Sequence, residues 1–333
     1  MFRITREEIE MDIKRRTLMA GSAAVLLAAA MPAAFAQEGK VIGVLPKTVI
    51  NDTFMNNLAN FAVAKGEELG LSMEIHSVSG HGAIEEQVSA MEALISRKVD
   101  GIVLAALDSK GLAPVVKRAA EAGIPVVLVD SGVETDPANY VSLVRTDNVR
   151  AAGLAADYAA ALLSYSGKVA QLEGEPGSEA AINRVKGFHE GIAKYPDIEL
   201  VSSITGHWTT PGGVEATEAI LSANPDVGLI FASSDLMAVG AAEVLRRRKR
   251  DDVIVIGFDG IPEGTDLILS GRAAGDVSQS ARGMGEQAVT ILNDIISGGK
   301  AAADMPKEID SGMKLLHSWN VKEYRKDVLG LAD

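Results

Sequence analysis

Four acidic side chains stand where apolar runs end. Gly101-Ile-Val-Leu-Ala-Ala-Leu107 runs into Asp108, and Pro125-Val-Val-Leu-Val129 into Asp130. Val227-Gly-Leu-Ile-Phe-Ala232 runs into Ser233, Ser234 and Asp235, and Val253-Ile-Val-Ile-Gly-Phe-Asp-Gly260 carries Asp259 between two glycines. A carboxylate accepts hydrogen bonds from hydroxyls or amines, and such charge-assisted bonds are the stronger kind. Beside Phe258 and two backbone-permissive glycines, Asp259 suits a polar small molecule. The competing reading, that Asp259 only caps the next helix, stays open on the local pattern. One strand end of this kind is unremarkable. Four of them, alternating with helical segments, point to one convergent site.

The elements that must position these groups are legible from periodicity. Short, unbroken β-branched runs read as strands buried on both faces of a helix-covered parallel sheet. Open α/β sheets place their ligand sites at the carboxyl ends of such strands. Strand and helix alternate from Val41 to Ile296, which predicts parallel sheets joined by βα crossovers. The pattern starts afresh after Thr146-Asp147-Asn148, and an irregular tail is expected after Ile296. The expected fold class is α/β, with two similar Rossmann-like lobes.

A chain of 333 residues, 47% apolar, suits two domains and excludes general disorder. No cysteine is present, so there is neither a disulfide framework nor thiol chemistry. The five histidines show no metal-ligand spacing. His76 and His81 fall in a Ser/Gly-rich loop and read as surface residues. A net charge of −13 argues against a nucleic-acid partner. The run Arg246-Arg-Arg-Lys-Arg250 ends a helical pattern and is answered by Asp251 and Asp252, so it reads as a solvated helix terminus.

Residues 1–36 read as an export signal. Lys14-Arg15-Arg16 is a charged region, Leu18 to Ala30 an apolar one, and Ala34-Phe35-Ala36 a cleavage site. Arg15-Arg16 also fits a twin-arginine signal, with the general secretory route the alternative. The segment holds five basic and four acidic residues, so the remainder carries 27 basic and 41 acidic, a net of −14. A periplasmic location is expected.

At this point the sequence resembles the ribose-binding-protein family, the periplasmic sugar-binding proteins of ABC importers. The resemblance spans Lys40 to Leu316. It is carried by Ile124-Pro-Val-Val-Leu-Val-Asp130, Thr146-Asp147-Asn148, Arg184-Val-Lys-Gly-Phe188, Ser234-Asp235-Leu-Met-Ala-Val-Gly240 and Val255-Ile-Gly-Phe-Asp-Gly260. It implies a type I periplasmic binding fold with a cleft between lobes. The N-terminal lobe would be 37–146 plus 280–309 and the C-terminal lobe 147–279 plus 310–333. Hinge crossings are expected near Thr146, Gln279 and Ile309. Carried over by position, the ligand-binding residues would be Asp52, Phe54, Met55, Asp130, Arg184, Trp208, Ser234, Asp259 and Gln279, with Lys47 and Asp235 as neighbours. The implied partners are a small polyhydroxylated ligand and an ABC transporter permease in the inner membrane. A monomer is expected, with no cofactor, no metal and no nucleic acid.

Departures from the ribose pattern matter. Ser131 stands where ribose binders carry an arginine, Asp52 and Ser234 replace asparagines, Met55 an aromatic, and Trp208 a phenylalanine. One lost donor, one added acid and a larger ring argue for a different monosaccharide or a linear sugar alcohol. A furanosyl autoinducer, or presentation of the closed form to a chemoreceptor, is the alternative. An enzyme is not expected: the chain has no Gly-x-Ser-x-Gly elbow and no phosphate loop.

Overall fold

The computed structural model describes residues 39–331, so the expected export segment lies outside the described residues. The first sheet comprises β1 (Val41–Leu45), β2 (Ser72–Ile75), β3 (Gly101–Leu104), β4 (Val126–Val129), β5 (Ser142–Arg145) and β11 (Glu308–Asp310). Its spatial order is β11-β5-β4-β3-β1-β2. The second comprises β6 (Gly167–Glu173), β7 (Ile198–Thr205), β8 (Leu229–Ala232), β9 (Ile254–Asp259), β10 (Gly275–Gln279) and β12 (Met313–His317), in the order β12-β10-β9-β8-β6-β7. Every described ladder is parallel except β10 with β12.

Helices α1 (Thr53–Glu68), α2 (Ile84–Arg97) and α3 (Ala113–Glu121) link strands of the first sheet. Helices α4 (Asn148–Leu162), α5 (Glu179–Ile192), α6 (Thr210–Ala223), α7 (Asp235–Arg248) and α8 (Pro262–Leu269) serve the second. Helix α9 (Ala281–Ile296) returns to pack on α1 and the first sheet, and α10 (Val321–Tyr324) follows β12. Strands β3, β4 and β8 are buried at every position because helices cover both faces. Side chains alternate between faces, so Val103 and Val127 join one core cluster while Ile102 and Leu128 join another. Each fully buried aliphatic contributes about 1.5–3 kcal/mol.

One helix pair sets the position of a key side chain. Ala151, Ala152, Ala155, Ala156, Ala159 and Ala160 form a fully buried stripe on α4. Gly187 and Gly191 of α5 lie against it, and a Cβ on Gly187 would strike the Val149 carbonyl. This close approach fixes α5, and with it Arg184.

The chain passes between the sheets at Thr146–Asp147, Gln279–Ser280 and Ser311–Gly312. The first and third passages run side by side: Ser311 N donates to the Arg145 carbonyl (2.8 Å), and Thr146 Oγ1 lies 3.4 Å from Ser311 Oγ. The expected irregular tail is in fact structured, with β11 completing the first sheet and β12 the second. β10 runs toward the passages, so β12, entering the second sheet from them, must run the opposite way. Gln279 accordingly pairs with Met313, and Gly275 with His317.

The lobes touch across their facing ends. Thr53 Oγ1 donates to Glu263 Oε1 (2.5 Å), Ser109 N to the Gly177 carbonyl (3.0 Å), and Arg145 pairs with Glu179. Leu236 and Ile261 of the second lobe pack on the cluster containing Phe54 and Met55. The run Arg246–Arg250 ends α7 as expected, with Arg250 Nε 2.8 Å from Asp252 Oδ1.

Candidate ligand-binding cleft

Loops at the carboxyl ends of both sheets meet in a partly open pocket between the lobes. Small-ligand sites occur preferentially at such domain interfaces. Ten of the residues named from sequence line it: Lys47, Asp52, Phe54, Met55, Asp130, Arg184, Trp208, Ser234, Asp259 and Gln279. Asp235 does not. Ser234 is the N-cap of α7, and at the following position the Asp235 side chain turns behind β9. There its Oδ2 accepts from Ile261 N (2.9 Å) and its carboxyl lies against Gly257 and Gly264, where a Cβ would collide with it.

Asp130 follows β4 and is 2% exposed. Lys47, from the loop after β1, donates to its Oδ2 across 2.6 Å and reaches Ser178 Oγ of the other lobe at 3.3 Å. Ser131 Oγ donates to the same Asp130 oxygen at 3.0 Å. Asp130 therefore takes two side-chain donors, Lys47 and Ser131, from its own lobe. Burial opposes ionisation of Asp130, but the Lys47 and Arg184 charges outweigh it and hold the carboxyl below its ordinary range.

Asp259 ends β9 and faces Arg184. The guanidinium lies 3.4 Å from Asp259 Oδ1, and Gln279 Nε2 donates to that oxygen at 2.8 Å. The N-cap of α8 is Ile261, with no side-chain cap bond, so Asp259 is not a helix cap. Burial pushes its carboxyl up to about 8, against the pull of Arg184 and Gln279, with Asp276 and Asp52 adding repulsion. Asp235 and Asp276, behind the cleft wall, are raised as well, chiefly by burial.

Arg184 is 3% exposed, which rules out a surface role. Its Nε donates to Asn148 Oδ1 (2.8 Å) and Nη1 to the Ser233 carbonyl (2.6 Å). The guanidinium stacks 3.8 Å from the Phe258 ring centroid and 5.2 Å from that of Trp208. Trp208 is fitted over Gly174, where a Cβ would run into the indole. Its Nε1 is buried without a partner among the described residues, as is Gln279 Oε1.

Three of these residues sit in backbone regions that disfavour side chains: Asp130 at φ 61°, Trp208 at 60° and Asp259 at 125°. Such conformations cost on the order of 1–3 kcal/mol each and concentrate at functional sites. Here they aim two carboxylates and an indole into one cavity.

Four lining residues were not foreseen: His81, Ala180, Leu236 and Ile261. His81 is the notable one, since the sequence placed it on the surface. Its side chain is 8% exposed, with Nε2 3.1 Å from Asp52 Oδ2. Asp52 Oδ1 accepts from Met55 N (2.8 Å), so Asp52 is also the N-cap of α1.

Comparison with known proteins agrees with this architecture. The periplasmic binding protein domain family matches residues 42–300. The chain belongs to that family, whose type I fold has two parallel-sheet lobes, and whose members bind solutes and are not enzymes. Among relatives, the ribose import binding protein of Salmonella typhimurium is 28% identical over 262 residues, 79% of this chain and 87% of its own length. The D-apiose import binding protein of Actinobacillus succinogenes is 29% identical over 310 residues, 93% of this chain and 98% of its own. Among solved structures, an ABC transporter solute-binding protein from Agrobacterium vitis with bound D-fucose superposes with a TM-score of 0.80 at 30% identity, covering 85% of this chain and 97% of that one.

Proposed function

We propose that this protein captures one small neutral sugar or sugar alcohol in the interlobe cleft and delivers it to an ABC importer from the periplasm. The observation that carries this reading is the charge balance of the cavity. The two most deeply buried lining carboxylates each have a cation beside them, Lys47 at Asp130 and Arg184 at Asp259, and Asp52 has the His81 ring. A neutral ligand enters without leaving a buried charge unpaired, which would be costly. Its hydroxyls both donate and accept, matching Trp208 Nε1 and Gln279 Oε1. Phe54, Met55 and Trp208 supply apolar faces for the C–H side of a sugar ring.

The D-apiose and D-fucose proteins support a sugar over an amino acid or peptide. In this reading 37–146 with 280–309 is one jaw and 147–279 with 310–333 the other. Residues 1–36 direct export and are removed, the protein works as a monomer, and its docking partner is an inner-membrane permease. Calorimetric titration with neutral sugars, alditols and amino acids tests the ligand class. Micromolar binding of one sugar or alditol, roughly −8 kcal/mol, is expected. Tight binding of an amino acid with no response to any polyol overturns it.

A further inference from the structure

Asp52 and His81 carry an inference that rests on the sugar-binding reading and goes past it. Asp52 Oδ1 accepts from Met55 N at 2.8 Å, and His81 Nε2 lies 3.1 Å from Asp52 Oδ2. A carboxylate so occupied has little left for a ligand. The imidazole it holds is different. His81 is 8% exposed, lines the cavity, and has its other nitrogen, Nδ1, buried with no partner among the described residues. Buried polar atoms are nearly always hydrogen-bonded. An unpaired Nδ1 on a ring that lines the cavity is an acceptor within reach of a bound molecule.

We infer that His81 is a specificity-determining ligand contact, with Asp52 as its positioning residue. With the Nε2 proton turned to the carboxylate 3.1 Å away, the neutral ring keeps Nδ1 as an acceptor. Nδ1 then takes a hydrogen bond from a ligand hydroxyl. The same ring also lines the larger outer pocket, with Thr209, Pro211 and Glu263 of the second lobe. His81 therefore reads the part of the sugar nearest the cleft mouth, opposite Gln279 at the second passage between the lobes.

The test uses purified protein and calorimetry with D-ribose, D-apiose, D-fucose and sorbitol. His81→Gln keeps a donor to Asp52 but has no atom at the Nδ1 position. It should weaken the tightest of the four ligands about tenfold or more, because a ligand hydroxyl is left unpaired. Asp52→Asn keeps the helix cap, since asparagine caps as well as aspartate. Its amide must donate to Nε2, which moves the ring proton to Nδ1 and turns the acceptor into a donor. It should therefore lose affinity, or reorder the four ligands, with an unchanged apo melting temperature. A purely structural Asp52 predicts no such change.

Wild-type affinities and wild-type order in both variants overturn the inference and leave the sugar-binding reading standing. A wild-type protein that binds none of the four, nor any other polyol, overturns both.

Discussion

Arg184 stands 3.4 Å from Asp259, while Lys47 stands 2.6 Å from Asp130, and these two buried carboxylates of one cavity are shifted in opposite directions. Lys47 closes on Asp130 at hydrogen-bond distance, with Ser178 and the Trp208 ring as its other neighbours. Arg184 stands farther from Asp259 and bonds Asn148 and the Ser233 carbonyl, while Asp276 and Asp52 repel an ionised Asp259. Hence Asp130 is held low and Asp259 raised to about 8.

The first consequence is a pH dependence with a definite sign. Asp259 has a folded-state value of about 8, above its ordinary 3.8. Its contribution to stability is present below the ordinary value and is lost as pH rises through 8. The ligand-free melting temperature should therefore fall as pH rises from about 4 to about 8, and this contribution should level off above that. Asp259→Asn should reduce that slope without abolishing it, because Asp235 and Asp276 are raised too. An identical slope in the variant, followed by calorimetric melting, contradicts the assignment.

Arg184→Ala should damage both binding and folding. Its removal leaves the Ser233 carbonyl and Asn148 Oδ1 without their donor, at about 1–3 kcal/mol for each buried group. Ligand affinity should drop about tenfold or more, and the apo melting temperature should fall measurably. A binding defect with unchanged thermal stability would mean that the packing around Arg184 is not structural.

Lys47→Met tests the buried pair with Asp130. Asp130 would become a buried carboxylate without its cation, and breaking a buried pair costs about 3–5 kcal/mol. Binding should be lost, and Lys47→Met combined with Asp130→Asn should recover stability. Failure of the second substitution to restore the melting temperature would argue against a coupled pair.

Gly174→Ala probes the seat of Trp208. The added methyl must displace the indole, and affinity should collapse while the fold persists. The chain has one other tryptophan, Trp319, which is 92% exposed. In a Trp319→Phe background the remaining emission reports on Trp208, and Gly174→Ala should shift it to the red. Unaltered emission and affinity would place Trp208 outside the working site.

Much of this was legible because buried parallel strands announce themselves. The runs ending at Asp130 and Asp259 are apolar on both faces, and their carboxyl ends converge in any fold of this class. Arg184 and Trp208 were legible through resemblance. What the sequence hid depends on long-range closure. Lys47 meets Asp130 across 83 residues of chain, and no local pattern records that. His81 is buried by folding of a loop that has no periodicity. Asp235 sits among site residues in sequence, but the side chain after a helix N-cap can turn either way, and here it caps Ile261 instead. β11 is only three residues long, and β12 owes its existence to the third passage rather than to any alternation of its own.

Capture between two lobes is tested most directly by solution X-ray scattering of the purified protein, titrated with the sugar that binds it best. The residues lining the cavity come from both lobes, so a ligand touching both sets favours the closed arrangement by its differential affinity for the two states. The radius of gyration should fall as ligand is added, with the same midpoint as the calorimetric titration, and the saturated curve should match the touching lobes described above. Full occupancy by calorimetry, with scattering curves superimposable on those of the ligand-free protein, would contradict closure around the ligand.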